Sequence, residues 1–130
     1  MDIRIGELAQ ACDCPAETIR YYEKIGLLPQ AVRRANGYRS YEDKHQKWLQ
    51  FIIRSRELGF SQDEVRRLTD LAHQQRPACA DVYDLLEEHV IDVRERISEL
   101  ERMEKALVRL KRQCHEGTLH DCPVIDELMT

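Results

Sequence analysis

With 130 residues, 24 acidic against 20 basic side chains and a net charge of -4, the chain has room for one or two small units. No apolar run approaches the ~20 residues that cross a bilayer, and Met1-Asp2-Ile3-Arg4 opens on an amphipathic pattern without an apolar signal core, so a cytoplasmic location with no membrane association is expected. In that compartment five cysteines point to metal binding or redox chemistry rather than to a disulfide framework.

In chain order, Ile5, Leu8 and Ala9 give residues 5–11 a short apolar helical face. After Pro15, a second helix carries Thr18, Ile19 and Tyr22 and runs toward Gly26-Leu27-Leu28-Pro29. Asn36-Gly37 signals a tight turn because both residues tolerate positive φ; Val32-Arg33-Arg34 and Tyr38-Arg39-Ser40-Tyr41 flank it as a short basic β-hairpin. A third helix spans about 43–58, with Trp48, Leu49, Ile52 and Ile53 inward and Gly59 ending it. Ser61 and Glu64 form a capping-box start for a fourth helix that reaches about His73.

The longest element is expected at 80–113. Val82, Leu86, Val90, Val93, Ile97, Leu100, Met103, Leu107 and Leu110 recur at steps of three and four, a heptad-like seam. A helix of that length spans about 50 Å and cannot cover its stripe against four short helices. A second copy of the chain is the economical partner. Division falls at 1–76 for the N-terminal unit with its two additional helices and at 77–130 for the dimerisation helix and the residues beyond it.

Two short helices, a sharp connection at Asp13-Cys14-Pro15 and a basic hairpin make a winged helix-turn-helix pattern. In such a fold the second helix enters the major groove. Thr18, Arg20 and Tyr21 are placed to touch bases or phosphates, while Arg33, Arg34, Tyr38 and Arg39 of the hairpin and Arg54 of the third helix suit phosphates. The charge distribution agrees: residues 1–60 hold ten basic and eight acidic side chains, residues 61–130 ten and sixteen.

The motifs Ile5-Gly6-Glu7-Leu8-Ala9, Thr18-Ile19-Arg20-Tyr21-Tyr22-Glu23, Gly26-Leu27-Leu28, Asn36-Gly37-Tyr38-Arg39-Ser40-Tyr41 and Arg56-Glu57-Leu58-Gly59-Phe60-Ser61 resemble the MerR family of bacterial transcription regulators. The resemblance covers nearly the whole chain. It implies a mainly α fold: an N-terminal winged helix-turn-helix, a long antiparallel dimerisation helix, and a short C-terminal metal-binding loop and helix. It also implies a homodimer on promoter DNA. There, effector binding distorts an overlong spacer so that RNA polymerase meets aligned promoter elements, a form of indirect readout.

Under that antiparallel pairing, Cys79 of one chain lies beside Cys114 and Cys122 of the other. His115 and His120, in the intervening loop, are further candidate ligands, and Asp121 is placed to orient a ligating imidazole. Thiolates bind soft or borderline metals. The Cys-x7-Cys spacing followed by Pro-Val-Ile-Asp-Glu-Leu resembles the copper, silver and gold sensors of the family, which carry Ser at the place of Cys79. Cys79 itself resembles the divalent sensors, and Cys14 and His89 resemble the cadmium and lead sensors. The favoured effector is Zn, Cd or Pb, with mercury behind them. The alternatives are a Cu(I)/Ag(I)/Au(I) sensor and a thiol redox sensor. Cys12 and Cys14 read as structural, His89 as an interface or surface residue, and His45 and His73 as unpartnered surface residues. No phosphate loop or nucleophile–base signature supports an enzyme.

Overall fold

Asp13 takes a left-handed conformation (φ 50°) between the helices α1, Ile5–Cys12, and α2, Ala16–Lys24. Aspartate tolerates that conformation better than most residues. Pro15 then sets the start of α2 and donates no N–H of its own. The computed structural model describes residues 2–74, 79–115 and 122–130, without the side chain of His115.

The end of α2 is turned by Gly26 at φ 80°, which lets the N–H groups of Leu27 and Leu28 return to the Tyr22 carbonyl at 2.9 and 3.1 Å. Both leucines are thereby delivered to the core. The wing comes next: β1, Val32–Arg33, pairs antiparallel with β2, Arg39–Ser40, in the register Val32 to Ser40 and Arg33 to Arg39. Gly37 at φ 85° and the Asn36 carboxamide, which accepts from the Tyr38 N–H at 3.2 Å, close the turn. Ile3 bridges to Tyr41 through two backbone bonds of 2.9 and 2.8 Å, so the N-terminal segment is laced to the wing. No local pattern announces that pairing.

Helix α3, Asp43–Glu57, ends at Leu58, and Gly59 at φ 85° breaks it. Helix α4, Gln62–Ala72, starts on the capping box read from the sequence: Ser61 Oγ accepts from the Glu64 N–H at 3.1 Å and Glu64 Oε1 from the Ser61 N–H at 2.9 Å. Helix α5, Cys79–His115, is 37 residues long and takes in both cysteines expected to flank it. Helix α6, Pro123–Met129, completes the chain. None of the described helices is long and apolar enough to cross a membrane.

Two compact units result, Met1–Leu85 and Leu86–Thr130. Leu8, Ile19, Leu27, Leu28, Tyr41, Leu49, Ile52, Phe60, Val65 and Leu85 are buried in the first. The first turns of α5 therefore belong to the unit that holds α1–α4. In the second unit, Leu100, Met103 and Leu107 of the expected seam are 62%, 58% and 65% exposed in the single chain.

Three histidines depart from the sequence reading. His89, expected at an interface or on the surface, is already buried in the single chain. His45 is fully buried rather than on the surface. Its Nδ1 accepts from the Glu42 N–H at 2.9 Å, so Nε2 carries the proton and donates to the Gln30 carbonyl at 2.9 Å. The ring caps α3 and ties it to the chain before the wing. His73 is exposed but not unpartnered: at the end of α4 its ring lies 4.3 Å from that of Trp48.

The core also holds a carboxylate. Glu23 of α2 is 2% exposed. The Tyr41 hydroxyl donates to its Oε1 at 2.5 Å, Arg39 Nη1 stands 3.7 Å from Oε2, and the Gln30 carboxamide donates to its main-chain carbonyl at 2.7 Å. Burial, followed by the Glu23 bond and charge, pushes the Tyr41 hydroxyl up to about 12. A raised folded value means that the tyrosine's contribution is intact below its unfolded value near 10 and is lost as pH rises toward 12. Tyr41→Phe is expected to cost about 1–3 kcal/mol near neutrality, because the buried carboxylate loses its donor. In urea titrations across pH, the gap between wild type and variant should narrow from pH ~10 to ~12.

Candidate nucleic-acid interface and thiol ligands

Helix α2 buries one side and presents another because Ile19 is fully enclosed while Arg20 and Tyr21 face outward. Thr18 is half-buried, and Tyr21 is 44% exposed. The Tyr21 hydroxyl lies 3.3 Å from the Gln62 carboxamide at the start of α4. One outward residue of α2 is thus held by a neighbouring helix. Arg54, expected among the phosphate ligands, is exposed in the last turn of α3.

The wing places Arg33, Arg34, Tyr38 and Arg39 on the surface, as the sequence suggests, but three of them are already engaged. Arg34 is ion-paired with Asp2. The Arg4 guanidinium sits 4.1 Å above the Tyr38 ring, a cation–π contact. Arg39 faces the buried Glu23. Arg4, Arg34, Arg39, Tyr38 and Asn36 line a cleft of ≈ 250 Å³ together with two carboxylates, Asp2 and Glu7. Sequence reasoning leaves out Arg4 and Glu23. Arg4 immediately precedes α1, and the long-range Ile3–Tyr41 pairing helps bring it to the wing. Clustered guanidinium groups and an outward-facing helix suit a polyanion; phosphate contacts supply affinity and register, base contacts supply sequence.

The five cysteines fall into two sets. Cys14 is buried and Cys12 half-buried around the helix-turn-helix corner. Burial pushes both thiols up, with Cys12 and Asp13 adding to the effect at Cys14. Neutral, packed thiols suit a structural role. Cys79, the first residue of α5, and Cys114, near its end, are exposed; Cys122 is half-buried immediately before α6. Accessible sulfur donors of this kind fit soft and borderline metal ions. His120 lies outside the described residues, as does the side chain of His115.

A left-handed corner between two short helices, an outward-facing second helix and a two-stranded basic wing define a winged helix-turn-helix DNA-binding protein. The comparisons with known proteins narrow that class. Residues 3–71 match the MerR HTH family regulatory protein model and residues 46–110 the MerR DNA-binding model. The mercuric resistance operon regulatory protein of Bacillus cereus is 40% identical over 130 residues, covering 99% of this chain and 98% of the relative. Among solved structures, the transcription regulator PbrR691 from Ralstonia metallidurans CH34 in complex with lead(II) is 36% identical with a TM-score of 0.80, over 97% of this chain and 98% of that one. The dual-function regulator MerR from Bacillus megaterium MB1 in complex with mercury(II) is also 36% identical, with a TM-score of 0.72 over 98% and 100% of the chains. The chain belongs to the MerR family: it is a metal-responsive transcription regulator that binds DNA, and not an enzyme.

Arg33 and Arg39 separate two kinds of wing residue. Arg33→Ala is expected to weaken binding alike on all duplexes and to reduce the slope of log affinity against log salt by about one. Arg39→Ala should do the same and also lower the thermal midpoint, because Glu23 is left buried without its counter-charge. Fluorescence anisotropy over a potassium chloride series, with circular-dichroism melts of both variants, checks this.

Proposed function

We propose that the chain is a cytoplasmic homodimer that sits on promoter DNA and activates transcription by distorting that DNA when a divalent soft metal, Zn, Cd or Pb, binds. The metal is held by Cys79 of one copy and by Cys114 and Cys122 of the other, with His115 and His120 as candidate further ligands. RNA polymerase is the partner that reads the distorted promoter. Thr18, Arg20, Tyr21, Arg33, Arg34, Tyr38, Arg39 and Arg54 carry the DNA contacts.

One observation supports this reading above the others. Cys79 and Cys114 occupy the two ends of one helix of 37 residues. At a rise of roughly 1.5 Å per residue they are about 50 Å apart along its axis. A single chain cannot close both on one ion. Antiparallel pairing of two α5 helices brings them together and also covers the exposed seam around Leu100, Met103 and Leu107. The chemistry of the donors supports the metal class, since thiolate with imidazole suits Zn and its heavier congeners.

Mercury(II) is the second reading, because the Bacillus cereus relative is named for mercuric resistance and the Bacillus megaterium structure holds mercury(II). A subunit-mixing experiment tests the shared site. Cys79→Ser homodimers and Cys114→Ser/Cys122→Ser homodimers are each expected to lose at least about tenfold in metal affinity, as removal of first-sphere ligands requires. Mixed dimers formed from the two variants keep one intact site and should recover one tight equivalent per dimer. Titration with Zn, Cd, Pb and Hg in turn, followed by sulfur-to-metal ultraviolet absorption, ranks the ions. Failure of the mixed dimer to recover binding would refute the two-chain site.

A further inference from the structure

The C-terminal end of α2 carries an unusual clasp. A helix leaves its last carbonyls without intrahelical partners, and they form the negative end of its dipole. In α2 these groups are taken up one by one. Tyr22 O accepts from Leu27 and Leu28, and Glu23 O from Gln30. Ile25 O, at the cap itself, accepts from Arg66 Nη2 of α4 at 2.6 Å. This is a short, charge-assisted bond at the helix end where a cation is most favourable.

One turn earlier, the Tyr21 hydroxyl meets Gln62 at 3.3 Å. Tyr21 and Ile25 are four residues apart, and so are Gln62 and Arg66. On α4 that spacing places Gln62 and Arg66 on one face. The two contacts, one to a side-chain hydroxyl in the last turn of α2 and one to the main-chain carbonyl of its C-cap, both come from the first turns of α4. The capping box of Ser61 and Glu64 fixes where α4 begins and hence the height of these contacts. Two contacts constrain what one does not: the rotation of α2 about its own axis as well as its position along it. Gly26 beside the Arg66 contact takes φ 80°, a conformation that L side chains rarely adopt.

We infer that Arg66 and Gln62 are specificity-determining residues that never need to touch a base: they set the rotation of the α2 face that DNA reads. Arg66 is exposed, and an exposed arginine on a DNA-binding protein is most simply read as a phosphate ligand. The two roles differ in a measurable way. A phosphate ligand contributes equally on every sequence and adds about one to the salt slope. A residue that only orients the reading helix acts on the preferred sequence and leaves the slope alone.

The test uses full-length dimer and two probes: the tightest duplex that wild type selects from a random-sequence library, and a scrambled duplex of equal length. Arg66→Gln is expected to weaken the selected duplex about tenfold, the size of one lost charge-assisted bond, and the scrambled duplex by less than about twofold, with an unchanged salt slope. Arg66→Lys, which keeps a cationic donor, should recover most of the loss on the selected duplex. Gln62→Leu should weaken selected-duplex binding by a smaller factor in the same pattern. Circular-dichroism melts establish that each variant is folded at the binding temperature. Equal losses on both duplexes, a salt slope reduced by about one, or undiminished discrimination in Arg66→Gln would overturn the proposal.

Discussion

A buried carboxylate organises the DNA-binding unit. Glu23 projects from α2 into the core, where an isolated carboxylate costs several kcal/mol. The fold offsets that cost with groups drawn from elsewhere in the chain: the Tyr41 hydroxyl, the Arg39 guanidinium and, at the main-chain carbonyl, Gln30. One oxygen, Oε2, lacks a hydrogen bond and relies on the arginine charge at 3.7 Å. An apolar residue at this position would pack as well but would not select which residues surround it. The Tyr41 hydroxyl and the Arg39 guanidinium both tie the wing to α2 at that one carboxylate.

From that point the constraints propagate outward through neighbours. Tyr41 is bonded on its backbone to Ile3, which brings Arg4 over Tyr38 and Asp2 to Arg34. Gln30, which serves Glu23, also offers its carbonyl to His45, whose ring caps α3. On the far side of α2, Arg66 and Gln62 join it to α4. The second helix of the motif is thus gripped from several directions by polar contacts with defined geometry. Hydrophobic packing alone permits small rotations at little cost, whereas directional bonds do not. In a winged helix-turn-helix the second helix enters the major groove, so restraints on its rotation bear on sequence readout.

Legibility in the sequence tracks the range of each interaction. The capping box at Ser61 and Glu64, the turn at Asn36-Gly37, the stop at Gly59 and the helical pattern of α5 are all set within a few residues, and each is legible; which α5 residue enters the core is not, since Leu85 is buried where the expected seam has Leu86, 43% exposed. The outward placement of Arg20 and of the wing arginines comes from the same local periodicity. His45 is misread because its burial depends on Gln30, fifteen positions away, and on a capping role at the third helical position that Glu or Gln would ordinarily advertise. Glu23 and Tyr41 are legible as members of a family motif but not as a pair, since a glutamate in a charged helix gives no sign of being inward. The engagement of Arg39 and Arg34 by acidic partners is hidden for the same reason.

The assignment of α5 to two units gives the proposed metal site its leverage. Leu85 packs in the same core as Leu8 and Ile19, so the first turns of α5, with Cys79 at their start, belong to the DNA-binding unit. Cys114 and Cys122 belong to the other. A ligand set that takes one thiol from the first unit of one copy and two from the second unit of its partner is a crosslink between a DNA-binding unit and the opposite subunit. Thiolate coordination is directional and strong compared with the contacts it competes against. Under the proposed ligand set, metal held at both ends of the dimer would act on two DNA-binding units at once. A symmetric pair of small displacements of this kind changes the relation between two half-sites, which is the variable on which duplex bending and twisting depend.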